Sequence, residues 1–278
     1  MPVFETPGSV SLQIKLPSGR VVVTTVDEPR TTVELLPIGR RGSDAVEHTS
    51  VKADELQGRH LVRIEQEDRV NWGPFQVARG GEVEARIVCP PGADLELSGG
   101  STDVHAEGAL REVSVTSASG DVRLDTVRGK LQIKTASGDI SVAGLESESS
   151  LMTVSGDLTV GRAGGSLLGR AVSGDVRIGS LSGSLTLSTT SGDVDVRSVE
   201  AGEVRVETVS GDVRLGVSRG TRVWIDAASV SGDLDSELDV GDREPEGDRS
   251  GVGGVVPLRV KSVSGDVSIV GAPDAVSA

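Results

Sequence analysis

The sequence predicts an all-β protein, a parallel β-solenoid (β-helix) with about 18 residues per coil, preceded by an N-terminal β-rich capping region. Three observations favour this fold class. The tripeptide Ser-Gly-Asp recurs at a fixed interval, and apolar residues alternate on both sides of each copy. Aromatic residues make up only 1% of the chain whereas glycine occurs 37 times. Such a composition fits a narrow aliphatic core and frequent turns.

The repeat is defined by eight copies of Ser-Gly-Asp. The later copies end at Asp212, Asp233 and Asp266, after gaps of 19, 21 and 33 residues. The first five are spaced 18 residues apart and begin at Ser119, Ser137, Ser155, Ser173 and Ser191. A spacing this regular indicates one structural unit used repeatedly.

Apolar residues occupy fixed positions within the unit. With the aspartate counted as position 1, the unit from Asp175 carries them at Val176, Ile178, Leu181, Leu185 and Leu187. A degenerate unit from Asp103 repeats the pattern and places Ala109 where Val127 falls in the next unit. Alternation with period two predicts two half-buried strands per unit, separated by a second turn.

Two topologies fit a unit of strand, turn, strand and turn: antiparallel hairpins, or coils in which each strand pairs with its equivalent one unit later. The constant pitch favours coils, because stacked coils keep each position in register. The longer late units then carry insertions that form loops on one side of the solenoid.

The chain is expected to divide into an N-terminal β-rich cap region at 1–94 and solenoid repeats at 95–278, with an acidic loop insertion at about 236–254. An open solenoid end exposes unpaired backbone, and we expect the N-terminal region to cover one end. Strands in that region are predicted at 10–16, 21–23, 31–35, 61–64 and 82–88.

The recurring Ser-Gly-Asp admits two interpretations. A column of aspartates could bind calcium, but paired calcium repeats carry a Gly-Gly-x-Gly-x-Asp pattern that is missing here. The favoured interpretation is turn chemistry, in which glycine takes a positive φ and the serine and aspartate side chains bond to nearby backbone amides.

No catalytic, cofactor-binding or metal-binding residues are predicted. His48, His60 and His105 are scattered, and Cys89 lies in an apolar strand that predicts a buried, inert thiol. Trp72 marks either a local core plug or a docking loop. The net charge of −14 disfavours nucleic acid as a partner. No apolar run approaches the length that crosses a bilayer, so we expect no membrane insertion and a cytoplasmic location.

The combination of an N-terminal β segment, Ser-Gly-Asp-Val-Arg-Leu units and a late acidic insertion before Ser-Gly-Asp-Val-Ser-Ile resembles the bacterial putative-adhesin family. This is a domain-of-unknown-function group of β-strand repeat proteins of actinobacterial type. The resemblance covers nearly the whole chain. It implies adhesion and defines no functional residues. Bactofilins, which are polymerising β-solenoids, are a looser analogue.

The expected function is a non-enzymatic β-solenoid scaffold or interaction module that uses no cofactor and presents a rigid polar ladder to a protein partner. Two alternatives stay open at this stage. One is a self-assembling, bactofilin-like filament subunit, and the other is a surface adhesin if the chain is exported.

Overall fold

The protein was analysed as a computed structural model. It describes the backbone of residues 2–56, 58–67, 69–72, 75–78, 81–238 and 255–272, and the side chains of 2–55, 58–67, 81–238 and 255–272. The chain divides into two compact units, Met1–Gly138 (unit 1) and Asp139–Ala278 (unit 2).

Unit 1 contains twelve strands and one short helix among its described residues. In chain order they are β1 (Val3–Glu5), β2 (Val10–Thr25), β3 (Arg30–Ile38), α1 (Gly42–Glu47), β4 (Thr49–Leu56), β5 (Arg59–Gln66), β6 (Arg69–Trp72), β7 (Phe75–Ala78), β8 (Glu82–Cys89), β9 (Asp94–Leu110), β10 (Val113–Ser119), β11 (Val122–Val127) and β12 (Leu131–Ser137). The strands predicted before residue 94 are confirmed.

The parallel coils of unit 1 do not follow chain order. β10 and β11 stack on β9, and β12 stacks on β10. β9 pairs on its other side with β2, whose residues 10–25 form a full coil although they lie more than 80 positions earlier. β2 in turn pairs with β5 and β8. The turn Pro17-Ser18-Gly19 is the corner of that coil, with Ser18 opposite Ser101.

Antiparallel strands end the parallel stack of unit 1. β3 pairs antiparallel with β8, β4 with β5, and β1 with β3. These strands cover the backbone edge of the β5–β8 coil, as expected of an N-terminal β-rich cap. The predicted fold class, a parallel β-solenoid with N-terminal capping strands, is confirmed.

One predicted core position of unit 1 is wrong. Leu110, and not Ala109, lies opposite Val127 and is buried, while Ala109 is only half-buried. The cause is a local irregularity of β9 next to Gly108, which has a φ of 92° and donates its backbone N–H to the Asp125 carboxylate at 2.9 Å. The extra residue shifts the inward-facing side chain by one position.

Unit 2 consists of strands alone among its described residues. They are β13 (Ile140–Leu145), β14 (Ser149–Ser155), β15 (Leu158–Ala163), β16 (Leu167–Ser173), β17 (Val176–Leu181), β18 (Leu185–Ser191), β19 (Val194–Val199), β20 (Val204–Ser210), β21 (Val213–Val217), β22 (Val223–Ser231), β23 (Leu234–Ser236), β24 (Val256–Ser264) and β25 (Val267–Gly271).

These strands form two parallel ladders. The first ladder runs β14, β16, β18, β20, β24 and β22, and the second runs β13, β15, β17, β19, β21, β25 and β23. From β13 to β17 each strand pairs with its equivalent 18 residues later, for example Leu167 with Leu185. The five predicted core positions of these coils are buried, and all but two, Ser149 and Gly169, carry apolar side chains.

The expectation that every strand pairs with its equivalent one unit later is wrong at the C-terminal side of unit 2. β24 lies between β20 and β22, and β25 lies between β21 and β23. The coil of residues 223–236 is therefore outermost, and the chain returns to insert its final coil inside it. The 33-residue gap therefore does not enlarge a single coil, because β23 and β24 on either side of it belong to different coils.

Several expectations fall on particular sites. Cys89 is fully buried, as predicted, and burial raises the pKa of its thiol to about 12. That the thiol is inert stays a prediction. Most of the acidic insertion at about 236–254 lies outside the described residues. The Trp72 side chain lies outside them as well. The cap and solenoid boundary at residue 94 stays a prediction. No helix among the described residues is long and apolar enough to cross a membrane.

The coil order of unit 2 can be tested with two cysteine pairs. Ser210 lies opposite Ser264, and Ser264 lies opposite Ser231. Neighbouring Cα atoms are then about 4.8 Å apart and those of Ser210 and Ser231 about 9.6 Å. We expect S210C/S264C to form a disulfide on mild oxidation, because its spacing falls within the disulfide range. Mass spectrometry of tryptic digests measures the product.

The control is S210C/S231C, whose residues are closer in sequence and farther apart in space. We expect it to stay reduced under the same conditions. Efficient oxidation of the control, with none in S210C/S264C, would show that the coils stack in chain order.

Candidate interaction surface

Glycines stack directly on one another at the Ser-Gly-Asp corners of unit 2. Gly174 and Gly192 have φ values of 134° and 124°, which confirms the predicted positive-φ turn position. A Cβ placed on Gly192 would lie 2.2 Å from the carbonyl oxygen of Gly174 in the neighbouring coil. The same distance recurs at Gly174, Gly211, Gly265 and Gly232. No side chain fits at these positions.

The aspartates of these corners form a hydrogen-bonded ladder. The backbone N–H of each aspartate donates to Oδ1 of the aspartate in the neighbouring coil at 2.8–3.0 Å. We call the series the aspartate ladder, and in spatial order it comprises Asp139, Asp157, Asp175, Asp193, Asp212, Asp266 and Asp233. The same kind of bond occurs in unit 1, where the Asp121 N–H donates to Asp103 Oδ1 at 3.1 Å.

The ladder explains why the corner residue is aspartate. The backbone on both sides pairs with backbone, since the N–H of Gly192 donates to the Ser210 carbonyl and the N–H of Val194 to that of Asp212. The aspartate N–H between them takes a carboxylate oxygen as its acceptor. The predicted bond between the aspartate side chain and a nearby backbone amide is present, but the amide belongs to the neighbouring coil and not to the same turn.

Arginine offsets part of the charge repulsion along the ladder. Arg177 bridges Asp157 at 3.1 Å and Asp175 at 2.6 Å, and these contacts, chiefly the hydrogen bond to Asp157, raise the pKa of Arg177. Among the described residues, Asp193, Asp212, Asp233 and Asp266 form no salt bridge. The described residues also contain no group of three or more His, Cys, Asp or Glu side chains placed to hold a metal ion.

An exposed and largely apolar row runs beside the aspartate ladder. It lies on the strands β14, β16, β18, β20, β24 and β22. We call it the valine row, and in spatial order it comprises Val154, Val172, Thr190, Val209, Val263 and Val230. Val172 and Val209 are 48% and 49% exposed, and Val230 in the outermost coil is 84% exposed. The corresponding residues of unit 1, Ala118 and Ala136, are small. Five of the six positions in the row are therefore apolar and at least 48% exposed.

Two positions earlier on the same strands, the outward row is mixed in character. It comprises Met152, Arg170, Ser188, Glu207, Lys261 and Ala228. Arg205 on the same face donates to the Glu207 carboxylate at 2.7 Å and lowers the pKa of Glu207. Arg259 lies 5.3 Å from the centre of the Trp224 ring. The valine row therefore has one acidic flank and one flank where charges of both signs meet.

Sequence reasoning predicted no site residues and did not identify the valine row. The pattern is present in the sequence, because Val-Ser-Gly-Asp occurs at Val154, Val172, Val209, Val230 and Val263. An apolar residue just outside the predicted core positions of a repeat indicates an exposed apolar row. The histidines do not join this surface: His48 contacts the Asp44 carbonyl, and His105 lies 3.2 Å from the Glu107 carboxylate.

A cavity of about 450 Å³ lies on unit 1. Its polar side chains bond to one another: Gln13 donates to Glu96 at 3.0 Å, and Lys15 pairs with Glu65 at 3.3 Å. These contacts join neighbouring coils on their outward face.

Comparison with known proteins gives one family and two similar structures. The profile of the Toastrack DUF4097 family matches residues 8–166 and 170–270. A putative cell adhesion protein from Clostridium sporogenes is 11% identical, with 96% of this chain and 93% of that chain covered and a TM-score of 0.28. A putative adhesin from Bacteroides fragilis is 11% identical, with 96% and 95% covered and a TM-score of 0.42. No curated protein matches the sequence.

The structural role of the aspartate ladder can be tested at Asp193. Its Oδ1 accepts the Asp212 N–H at 2.9 Å. Asp193→Ala removes this acceptor and should lower the free energy of unfolding by about 1 kcal/mol, measured by urea denaturation. Asp193→Asn keeps an acceptor oxygen and removes the charge, and it should unfold like the wild type. Equal destabilisation by both variants would contradict the hydrogen-bonding role.

The glycine stack can be tested at Gly192. Gly192→Ala places a Cβ against the Gly174 carbonyl at a positive φ, and it should lower the free energy of unfolding by about 2 kcal/mol or more. The matched control is Gly271→Ala, where a Cβ meets no atom within 4 Å. If thermal and urea unfolding show the two variants to be equally stable, close stacking is not the constraint.

Proposed function

The chain belongs to the Toastrack DUF4097 family, and on that premise we propose that it is a non-enzymatic interaction module whose valine row binds a protein partner. Membership bears out the predicted resemblance to a domain-of-unknown-function family of β-strand repeat proteins. The observation that carries the proposal is the line of half-exposed valines on unit 2.

Exposed apolar side chains support binding because removing them from water is favourable. Each Å² of apolar surface that is removed from water contributes about 25 cal/mol of favourable transfer free energy. Contiguous apolar patches on soluble proteins commonly mark interaction sites. The members of the valine row occupy equivalent positions of neighbouring strands, and Thr190 divides them into two apolar runs, Val154 with Val172 and Val209 with Val263 and Val230.

Rigidity is the second support. The strands that carry the valine row pair on both sides from β16 to β24, and their corners are joined by the aspartate ladder. A surface that is already ordered loses little conformational entropy on binding. Unit 2 therefore presents its outward side chains in a fixed geometry before any partner arrives.

Of the alternatives left open by the sequence, the bactofilin-like filament receives no support from the family match. Adhesion at a cell surface would be one form of partner binding and requires that the chain be exported. Cytoplasmic location, the absence of catalysis and the absence of a cofactor stay predictions.

The proposal is tested with Val172→Thr and Val209→Thr together. Thr190 already occupies the row, so threonine is compatible with this backbone, and the free energy of unfolding should change by less than about 1 kcal/mol. Affinity capture from the host extract, quantified by mass spectrometry, should recover a protein with the wild type and lose it with V172T/V209T.

The matched control is V3T/V270T, which makes the same chemical change at one exposed and one half-exposed valine outside the row. It should retain the partner at the wild-type level. Equal recovery with all three proteins would contradict a docking role for the valine row.

A further inference from the structure

The valine row runs along the direction in which the coils stack, across the strands and not along them. Neighbouring strands are about 4.8 Å apart, so its six positions span about 24 Å. A partner that contacts the whole row must therefore present an apolar residue at every step of about this length.

An α-helix meets this requirement better than an extended strand. An apolar stripe on a helix advances about 5.4 Å per turn, and a helix of about 18 residues is about 27 Å long. The same face of a strand repeats only every 6.6–6.8 Å or so, which falls out of step with the valines within two or three residues. Helices recognised in this way present apolar residues at intervals of three and four.

The charges beside the row indicate the polar character of the helix. The aspartate ladder follows the valine row three positions later in the repeat and runs parallel to it. The other flank carries Arg170 and Lys261 as well as Glu207, which is paired with Arg205. Arg177 offsets the charge of Asp157 and Asp175 on the ladder flank, and the flank is acidic at Asp193, Asp212, Asp266 and Asp233, so complementary charge on the partner is expected there.

We propose that the valine row and the aspartate ladder together bind a cationic amphipathic helix, aligned with the stacking direction, whose apolar stripe covers the valines and whose Lys or Arg residues face the ladder. This inference rests on the proposed function and specifies the chemistry of its partner. A second copy of the chain fits less well, because each copy carries a net charge of −14 and its own acidic ladder.

The probe is a labelled synthetic peptide of about 18 residues with a leucine stripe at helical spacing and lysines along one flank. Fluorescence anisotropy should show binding to the full-length protein, and circular dichroism should show a gain of helix in the complex. V172T/V209T should weaken binding about tenfold or more, since two valine contacts become polar. V3T/V270T should leave binding unchanged.

The charge flank is tested with D193N/D212N, which keeps the acceptor oxygens of the ladder and removes two carboxylates that form no salt bridge among the described residues. Binding should weaken about threefold or more at low salt, and the difference from wild type should shrink as salt is raised. A peptide with glutamate in place of lysine should not bind.

A second peptide of the same composition with alternating leucine and lysine, which favours a strand, separates the two proposals. If it binds at least as tightly as the helical peptide and loses affinity with V172T/V209T, the valine row docks partners but the helix inference is wrong. If neither peptide responds to V172T/V209T, the docking role fails as well. A wild-type dimer in sedimentation equilibrium that is lost in V172T/V209T would assign the row to a second copy and overturn the inference.

Discussion

The close approach of glycines at the Ser-Gly-Asp corners sets the geometry of unit 2. Because each corner glycine lies against the carbonyl of the corner glycine in a neighbouring coil, the coils stack without the room that a Cβ would need. That contact fixes the strand spacing at the corner and leaves the following aspartate N–H facing the neighbouring carboxylate. The aspartate ladder is thus a consequence of the glycine stack, and the two together join one coil to the next.

The same regularity arranges the surface. Once the coils are in register, every outward position becomes a straight row, and its character depends only on which residue recurs there. A small change in the repeat, from alanine in unit 1 to valine in most coils of unit 2, turns a neutral position into a row of exposed valines that Thr190 interrupts. The acidic ladder is held in place by backbone hydrogen bonds and lies a fixed number of residues away from that row. Structural and candidate functional features therefore share one corner.

The coil order shows what near-identical repeats permit. Every coil presents almost the same edge, so a coil can stack on any other without loss of register. In unit 1 an early segment, residues 10–25, lies beside β9, and in unit 2 the final coil lies inside the coil that precedes it in the chain. In unit 1 antiparallel strands end the stack, whereas the outermost coil of unit 2 leaves Val230 and Leu234 exposed.

The sequence by itself determined the repeat: its 18-residue period, the alternation of apolar positions and the glycine in each corner, because these follow from local backbone geometry. It could not determine which equivalent edges meet, since the local pattern around β22 and β24 is nearly the same and only long-range packing distinguishes them. Three further features likewise depend on neighbours that are distant in the chain. They are the bulge that places Leu110 instead of Ala109 in the core, the carboxylate acceptor for the aspartate N–H, and the exposure of the valines. The candidate surface therefore emerged only when the coils were placed side by side.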